Sequence, residues 1–230
     1  MKNVAVIPAR CGSTRIADKN IAPVGGVPLL ALTVRHALDS GLFDRVYVST
    51  DSSHYADLAK SEGAWVPFLR DTLADEFSGV VQVVVHEIGR IEAFLHDSVD
   101  VVAILQPTCP FCTADTIRHV NEAFRRDNAE MMTACFPYAA GNPWWAFRLS
   151  GSSEADFLFG SPEKSRSQDL PTVYCPTGAV SFAKVSALRL SPTAYGPGRK
   201  FCPVSWKEGF DIDTPEDLEL ARALAATSHA

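Results

Sequence analysis

Short runs of β-branched and apolar residues alternate with segments of helical spacing along most of the chain. Residues 3–8 (Asn-Val-Ala-Val-Ile-Pro) are apolar on both faces, which predicts a buried strand. Residues 28–40 carry helical spacing, with Pro28 suited to the first turn and Gly41 to the stop. A strand over 45–49, a helix over 52–62 closed by Gly63, and a short strand over 64–67 follow. Next come a helix over 79–96, the most apolar strand over 99–105, a helix over 113–126 and a strand over 130–136. Thr113 suits the N-cap of the 113–126 helix, and Asp115 sits in its first turn. Alternation of this kind predicts an α/β fold, a mainly parallel sheet with helices on both faces. Between 137 and 203 helical periodicity fades, and only 178–183 reads as a strand. The expectation is one domain over 1–230 with an inserted arm at about 137–200. A last helix over 216–226 opens behind Thr214 as N-cap and Pro215 at the first helical position.

With 230 residues, 47% of them hydrophobic, the chain is long enough for one sizeable core. A net charge of −6 lacks the basic surplus expected of a nucleic-acid binder. No stretch reaches the apolar length of a membrane span. The start runs into the first strand without a cleavage-type segment, so the expected location is cytoplasmic and the six cysteines are expected as reduced thiols. Cys109-Pro110-Phe111-Cys112 has C-x-x-C spacing, but it follows a late strand and no second cysteine pair accompanies it. Two small buried residues account for it better than a redox dithiol or half a zinc site.

Three groups of residues carry candidate chemistry. The first is the loop after the first strand, with Arg10, Arg15, Lys19 and Asn20 around Gly12 and Ser13. Ligands of open α/β sheets bind at the carboxyl ends of strands. Glycine lets backbone approach phosphate oxygens, and Arg and Lys neutralise them. A solvated basic loop is the plainer alternative. Neither G-x-x-x-x-G-K-[ST] nor G-x-G-x-x-G is present, which argues against a P-loop NTPase or a dinucleotide dehydrogenase. The second group is Asp211-Ile212-Asp213, two carboxylates on one side of an extended segment. Such a pair, completed by substrate phosphates, suits Mg²⁺; helix capping beside Thr214 is the competing role. The third is Gln106 after the most apolar strand, equally well a turn residue or an amide that reads a base or sugar hydroxyl.

Ile7-Pro8-Ala9-Arg10-Cys11-Gly12-Ser13-Thr14-Arg15, followed by Lys19-Asn20, resembles the I-P-A-R-x-G-S signature of CMP-sugar synthetases, above all the acylneuraminate (nonulosonic acid) cytidylyltransferases. Val48-Ser49-Thr50-Asp51, Val66-Pro67-Phe68-Leu69-Arg70, Leu105-Gln106-Pro107-Thr108, Gln168-Asp169-Leu170-Pro171 and Asp211-Ile212-Asp213-Thr214-Pro215 extend the likeness over nearly the whole chain. The resemblance implies a Rossmann-like nucleotidyltransferase core, a protruding dimerisation arm, a homodimer, and transfer of CMP from CTP to an acidic acceptor with Mg²⁺. It implies CTP binding by Ala9, Arg10, Gly12, Ser13, Arg15, Lys19, Asn20, Arg70, Ser78 and Gln106, with Arg70 and the backbone near Ala9 beside the cytosine. It places the acceptor near Gln106, Arg166, Gln168 and Tyr174, the metal on Asp211 and Asp213, and catalysis with Arg10, Lys19 and that pair. The acceptor side departs from the family pattern: Ser167 and Cys175 stand where arginines are usual, and Thr177 where Asn is usual. A smaller acid such as a phosphonate is therefore the alternative acceptor, and a non-catalytic nucleotide-binding scaffold a third reading.

Overall fold

The computed structural model describes residues 2–73, 79–138, 141–151, 153–160, 166 and 169–227. In chain order the main elements are β1 (Asn3–Pro8), a small hairpin of β2 (Pro23–Val24) and β3 (Val27–Pro28), α1 (Leu29–Asp39), β4 (Arg45–Ser49) and α2 (Ser53–Ser61). They continue with α3 (Val80–Leu95), β5 (Val101–Ile104), α4 (Ala114–Arg126), β6 (Met131–Pro137), a second hairpin of β7 (Phe147–Leu149) and β8 (Ala155–Phe157), and β9 (Tyr174–Lys184). The chain then adds α5 (Val185–Leu190), β10 (Arg199–Pro203) and α6 (Pro215–Thr227).

Six strands form the central sheet in the order β10-β6-β9-β5-β1-β4. β4, β1 and β5 are mutually parallel, as are β6 and β10, while β9 runs antiparallel between β5 and β6. Side chains alternate across the pleat, so each strand feeds two layers. Val4 and Val6 of β1 pack with Val84, Ile88 and Ile91 of α3 and Leu188 of α5. Ala5 and Ile7 face the opposite layer, built from α1, α2 and α4 through Leu30, Val34, Tyr55, Ile117 and Val120. A smaller cluster, with Val24, Leu29, Phe210, Ile212, Leu218 and Ala221, seats α6 against the first hairpin.

The Thr113 side chain caps its helix as expected, accepting from Thr116 N, and Gly41 and Gly63 take positive φ where α1 and α2 end. Ser52 caps α2 in the same way, accepting from Tyr55 N. Two expectations need correction. Residues 64–67 do not form a strand: only Trp65 bridges to β4, and Pro67 has no N–H with which to continue a ladder. The stretch 137–200 does not leave the sheet as a whole. Tyr174–Lys184 is a central strand and β10 an edge strand, so the excursion covers 138–173, with its two ends paired at Pro137 and Tyr174.

Candidate active site

β1, β4 and β5 end along one edge of the sheet, and an open cleft of about 830 Å³ including its mouth lies above it. Pro8, Arg10, Ser13, Arg15, Lys19, Asn20, Arg70, Gln106 and Thr108 line this cleft. The structure thus brings the loop after the first strand, Arg70 and Gln106 together, although they lie far apart in the sequence.

Local contacts shape the loop. Gly12 turns it at φ 75° with open space where a Cβ would stand. Arg10 donates to the Gly12 carbonyl at 2.9 Å, and the buried Asn20 amide donates to the Arg10 carbonyl at 2.9 Å. Asp51, at the end of β4, accepts from Cys11 N at 2.8 Å and from Cys11 Sγ at 3.3 Å. The hydrogen bond to Asp51, ahead of burial, pushes the Cys11 thiol up, so it is held as a donor. Ala9 is fully buried and its N–H is spent on the Ser49 carbonyl at 2.9 Å. It supports the loop and does not line the cleft.

Arg70 is 4% exposed, and its Nε and Nη2 are buried without a hydrogen-bond partner. Burial pulls its pKa down, while the charges of Asp51 and Glu87 oppose that. A buried guanidinium with unspent donors at a cleft wall is arranged to receive an acceptor atom from a ligand.

The segment of the two aspartates lies beside the cleft, in contact with its lining residues Lys19, Arg15 and Thr108. Ile212 is fully buried and donates to the Thr108 carbonyl at 2.9 Å, which fixes the segment beside the end of β5. Lys19 Nζ reaches the Ile212 carbonyl at 2.8 Å and Asp213 Oδ1 at 3.2 Å, and Arg15 lies 3.4 Å from the same oxygen. The cap of α6 is made by others: Asp217 accepts from Thr214 N, Thr214 Oγ1 and Asp213 N, and its own N–H bonds Thr214 Oγ1. The cap therefore uses neither the Asp211 nor the Asp213 carboxylate. Asp211 Oδ1 is buried with no hydrogen-bond partner; burial, with the Asp213 charge added, raises its pKa against hydrogen bonds from the Thr108 and Cys109 side chains and the charge of Lys19. A buried carboxylate oxygen left without a partner beside a second carboxylate fits a hard divalent cation whose remaining ligands are phosphate and water oxygens. Among the described residues no group of three or more His, Cys, Asp or Glu gathers as a metal site, so the protein offers this pair and no closed cage.

Gln106 also borders an adjoining pocket with Met131, Thr133, Gly178, Ser181 and Tyr195. An added Cβ at Gly178 would lie 2.3 Å from Gln106 Nε2, so the glycine makes room for that amide. Arg166 is not brought to the cleft: it is exposed and paired with Asp169 at 2.9 Å. Tyr174 is half-exposed and lines a different groove with Cys135, Pro176 and Phe201. Ser78 and Gln168 lie outside the described residues. Cys109 and Cys112 are buried, and burial pushes the Cys112 thiol up to about 12, which leaves no thiolate for redox chemistry. Sequence reading gave no role to Asp51, Gly178 or Glu87. Only Asp51 left a signal, an acidic residue directly after a strand at the ligand-binding edge.

The family model described as cytidylyltransferase matches residues 4–142. Pseudaminic acid cytidylyltransferase of Campylobacter jejuni is 32% identical over 232 residues, covering 100% of this chain and 98% of its own. CMP-N,N'-diacetyllegionaminic acid synthase of Legionella pneumophila is 32% identical over 227 residues, covering 97% and 96%. In structure the chain is similar to CMP:2-keto-3-deoxy-manno-octonic acid synthetase complexed with CTP, at a TM-score of 0.74 and 19% identity, over 99% of this chain and 100% of that one. The last likeness bears on the fold alone.

Proposed function

The chain belongs to the cytidylyltransferase family, and from that premise we propose that it transfers CMP from CTP to a nonulosonic acid and releases pyrophosphate. The observation that carries this is the single cleft that four cationic side chains, Arg10, Arg15, Lys19 and Arg70, line together, with Lys19 and Arg15 reaching to Asp213 beside it. The acceptor class follows the relatives, whose names specify pseudaminic and diacetyllegionaminic acid.

In this reading Arg10, Ser13, Arg15, Lys19 and Asn20 grip the triphosphate, with the Gly12 turn giving its oxygens room, and Arg70 offers its unspent donors to the nucleotide. Gln106 stands between the nucleotide cleft and the adjoining pocket, which takes the acceptor. The acceptor's hydroxyl oxygen forms a bond to the α-phosphorus as the bond to the β-phosphate oxygen breaks. Pyrophosphate leaves with the electron pair, and the hydroxyl proton passes to solvent. Catalysis is positioning plus neutralisation of charge, with Lys19 and Arg10 stabilising the leaving pyrophosphate. Asp211 and Asp213 would hold Mg²⁺, which supplies charge neutralisation and orientation of phosphate oxygens when bound. Lys19 and Arg15 meanwhile occupy Asp213 and keep the pair ordered.

The excursion over 138–173 is read as the contact of a homodimer in the cytoplasm. Its hairpin exposes Phe147, Leu149, Phe157 and Phe159 together, an apolar surface that a second copy would cover. No helix among the described residues is long and apolar enough to cross a membrane.

Pyrophosphate release from CTP with a panel of acids tests the reading. Release with nine-carbon keto acids is the expected result. Release with small phosphonates alone moves the acceptor to that class. CTP binding without release from any acid leaves only a nucleotide-binding scaffold.

A further inference from the structure

Arg70 sits on the connection between α2 and α3, which beyond the Trp65 bridge has no helix or strand among the described residues. Its own backbone makes one tie to the sheet, from Arg70 N to the Thr50 carbonyl at 2.8 Å. The other ties run to α3. Arg90 Nη2 donates to the Leu69 carbonyl at 3.0 Å, Arg90 Nη1 lies 3.6 Å from Asp71, and the guanidinium stacks 4.1 Å above the Phe68 ring. His86 Nε2 pairs with Thr72 Oγ1 at 3.3 Å. Arg90 and His86 thus hold residues 68, 69, 71 and 72, on both sides of Arg70.

Both converge on one group. Glu87 is fully buried; its Oε1 lies 3.3 Å from Arg90 Nη1 and 3.1 Å from His86 Nδ1, and its Oε2 accepts from the buried Tyr47 hydroxyl of β4. A buried carboxylate is costly unless paired and hydrogen-bonded, and this one has partners from two layers. The guanidinium of Arg90 is the wrong group for a casual surface pair: one edge meets Glu87 while another N–H reaches the Leu69 carbonyl, a fork that lysine cannot reproduce. Arg70 has no such partner, and its unspent donors keep their aim only while the backbone around them is held.

We infer that Glu87 and Arg90 are positioning residues for nucleotide binding, acting through the Leu69 carbonyl and Asp71 to hold the Arg70 guanidinium in the cleft wall. This rests on the reading of Arg70 as a CTP ligand. Neither Glu87 nor Arg90 lines the cleft. They support a ligand-binding side chain that is otherwise carried on irregular backbone.

The test uses the full chain, with the CTP dissociation constant from calorimetric titration, kcat and KM from pyrophosphate release, and a thermal melt. Arg90→Met is expected to raise the dissociation constant and the KM for CTP about tenfold, the effect of losing one charge-assisted contact, with kcat within about twofold. Arg90→Lys keeps the Glu87 pair but not the fork, so it should fall between the two. Arg70→Lys should also weaken CTP binding, and the Arg70→Lys/Arg90→Met protein should bind no worse than Arg70→Lys alone. A purely structural role for Arg90 predicts a lower melting temperature with unchanged affinity. That result, or effects that multiply in the double variant, overturns the inference while leaving Arg70 as a ligand. Wild-type affinity in Arg70→Lys overturns the ligand reading and the inference with it. Should Arg90→Met fail to fold, Arg90→Lys decides: weakened binding supports the coupling and wild-type binding refutes it.

Discussion

Replacing Gly178 with alanine should reach the active site through a single methyl group. The residue lies in β9 and does not take positive φ, so alanine suits its backbone. The conflict is with Gln106: the new Cβ would stand 2.3 Å from its Nε2 and 2.7 Å from its Cδ. An ordinary contact is about 3.5 Å or more, so one side must yield by roughly 1 Å. The amide is the end of a flexible side chain and will be the side that moves. Pushing it off its rotamer costs about 0.5–1.5 kcal/mol, or about 1–6 °C of melting temperature for a chain of this size. If Gln106 binds substrate as proposed, the displaced amide loses a hydrogen bond of about 0.5–1.5 kcal/mol, which lowers kcat/KM about 2- to 13-fold. Pyrophosphate release at subsaturating CTP and acceptor, beside a thermal melt, measures both. Gln106→Ala should show a similar kinetic loss, and the double variant should regain the melting temperature without further loss of activity. Wild-type kcat/KM in Gly178→Ala, or additive losses in the double variant, would refute the idea that Gly178 exists to seat Gln106.

Asp213→Asn should lower Mg²⁺-dependent turnover about a hundredfold or more, because the cation site loses a charged ligand. Turnover that keeps its rate and its metal dependence would remove Asp213 from the metal. A separate effect concerns stability. Burial tends to raise the Glu208 carboxyl, but hydrogen bonds from Ser205 and Thr116 outweigh it and the pKa is lowered. A depressed folded-state pKa contributes stability above the ordinary glutamate range and loses it as pH falls through the folded value. Glu208→Gln should therefore melt about 2–4 °C lower at neutral pH, roughly 1 kcal/mol, and the gap should close below pH 4. A gap that persists in acid would show that the hydrogen bonds, and not the charge, matter.

The sequence revealed those parts of the molecule whose signals are local. The strand over 45–49 is bounded by Gly41 on one side and the start of the helix over 52–62 on the other, and the structure keeps the strand's bounds. The phosphate loop and the Asp211/Asp213 pair were legible because each is a compact motif at the end of an element. β9 was legible only over 178–183, and its first residues were hidden. Pro176 and Gly178 weaken its strand signal, and it forms because β5 and β6 flank it on both sides, a pairing between segments remote in the chain. Asp51 and Cys11 meet across 40 residues, and Tyr47 and Glu87 across another 40, so no spacing rule could link them. Arg166 illustrates the reverse case: its motif is legible, yet within one chain it pairs with Asp169 away from the cleft.

Because β9 runs against its neighbours, the chain returns to the sheet edge from which it left. The excursion begins where Pro137 ends β6 and finishes where Tyr174 starts β9, and the two residues face each other in the ladder. Its feet are clamped together, so its length and sequence can change at little cost to the core. The residues that line the cleft, and Ile212 that Lys19 reaches, come from elsewhere, from the loop after β1, the stretches following β4 and β5, and the turn before α6. Descendants of such a protein can thus redesign the excursion while leaving the cleft at the ends of β1, β4 and β5 intact. The antiparallel strand is the hinge of that evolutionary freedom, since a parallel one would have had to cross the sheet and drag the core along with every change.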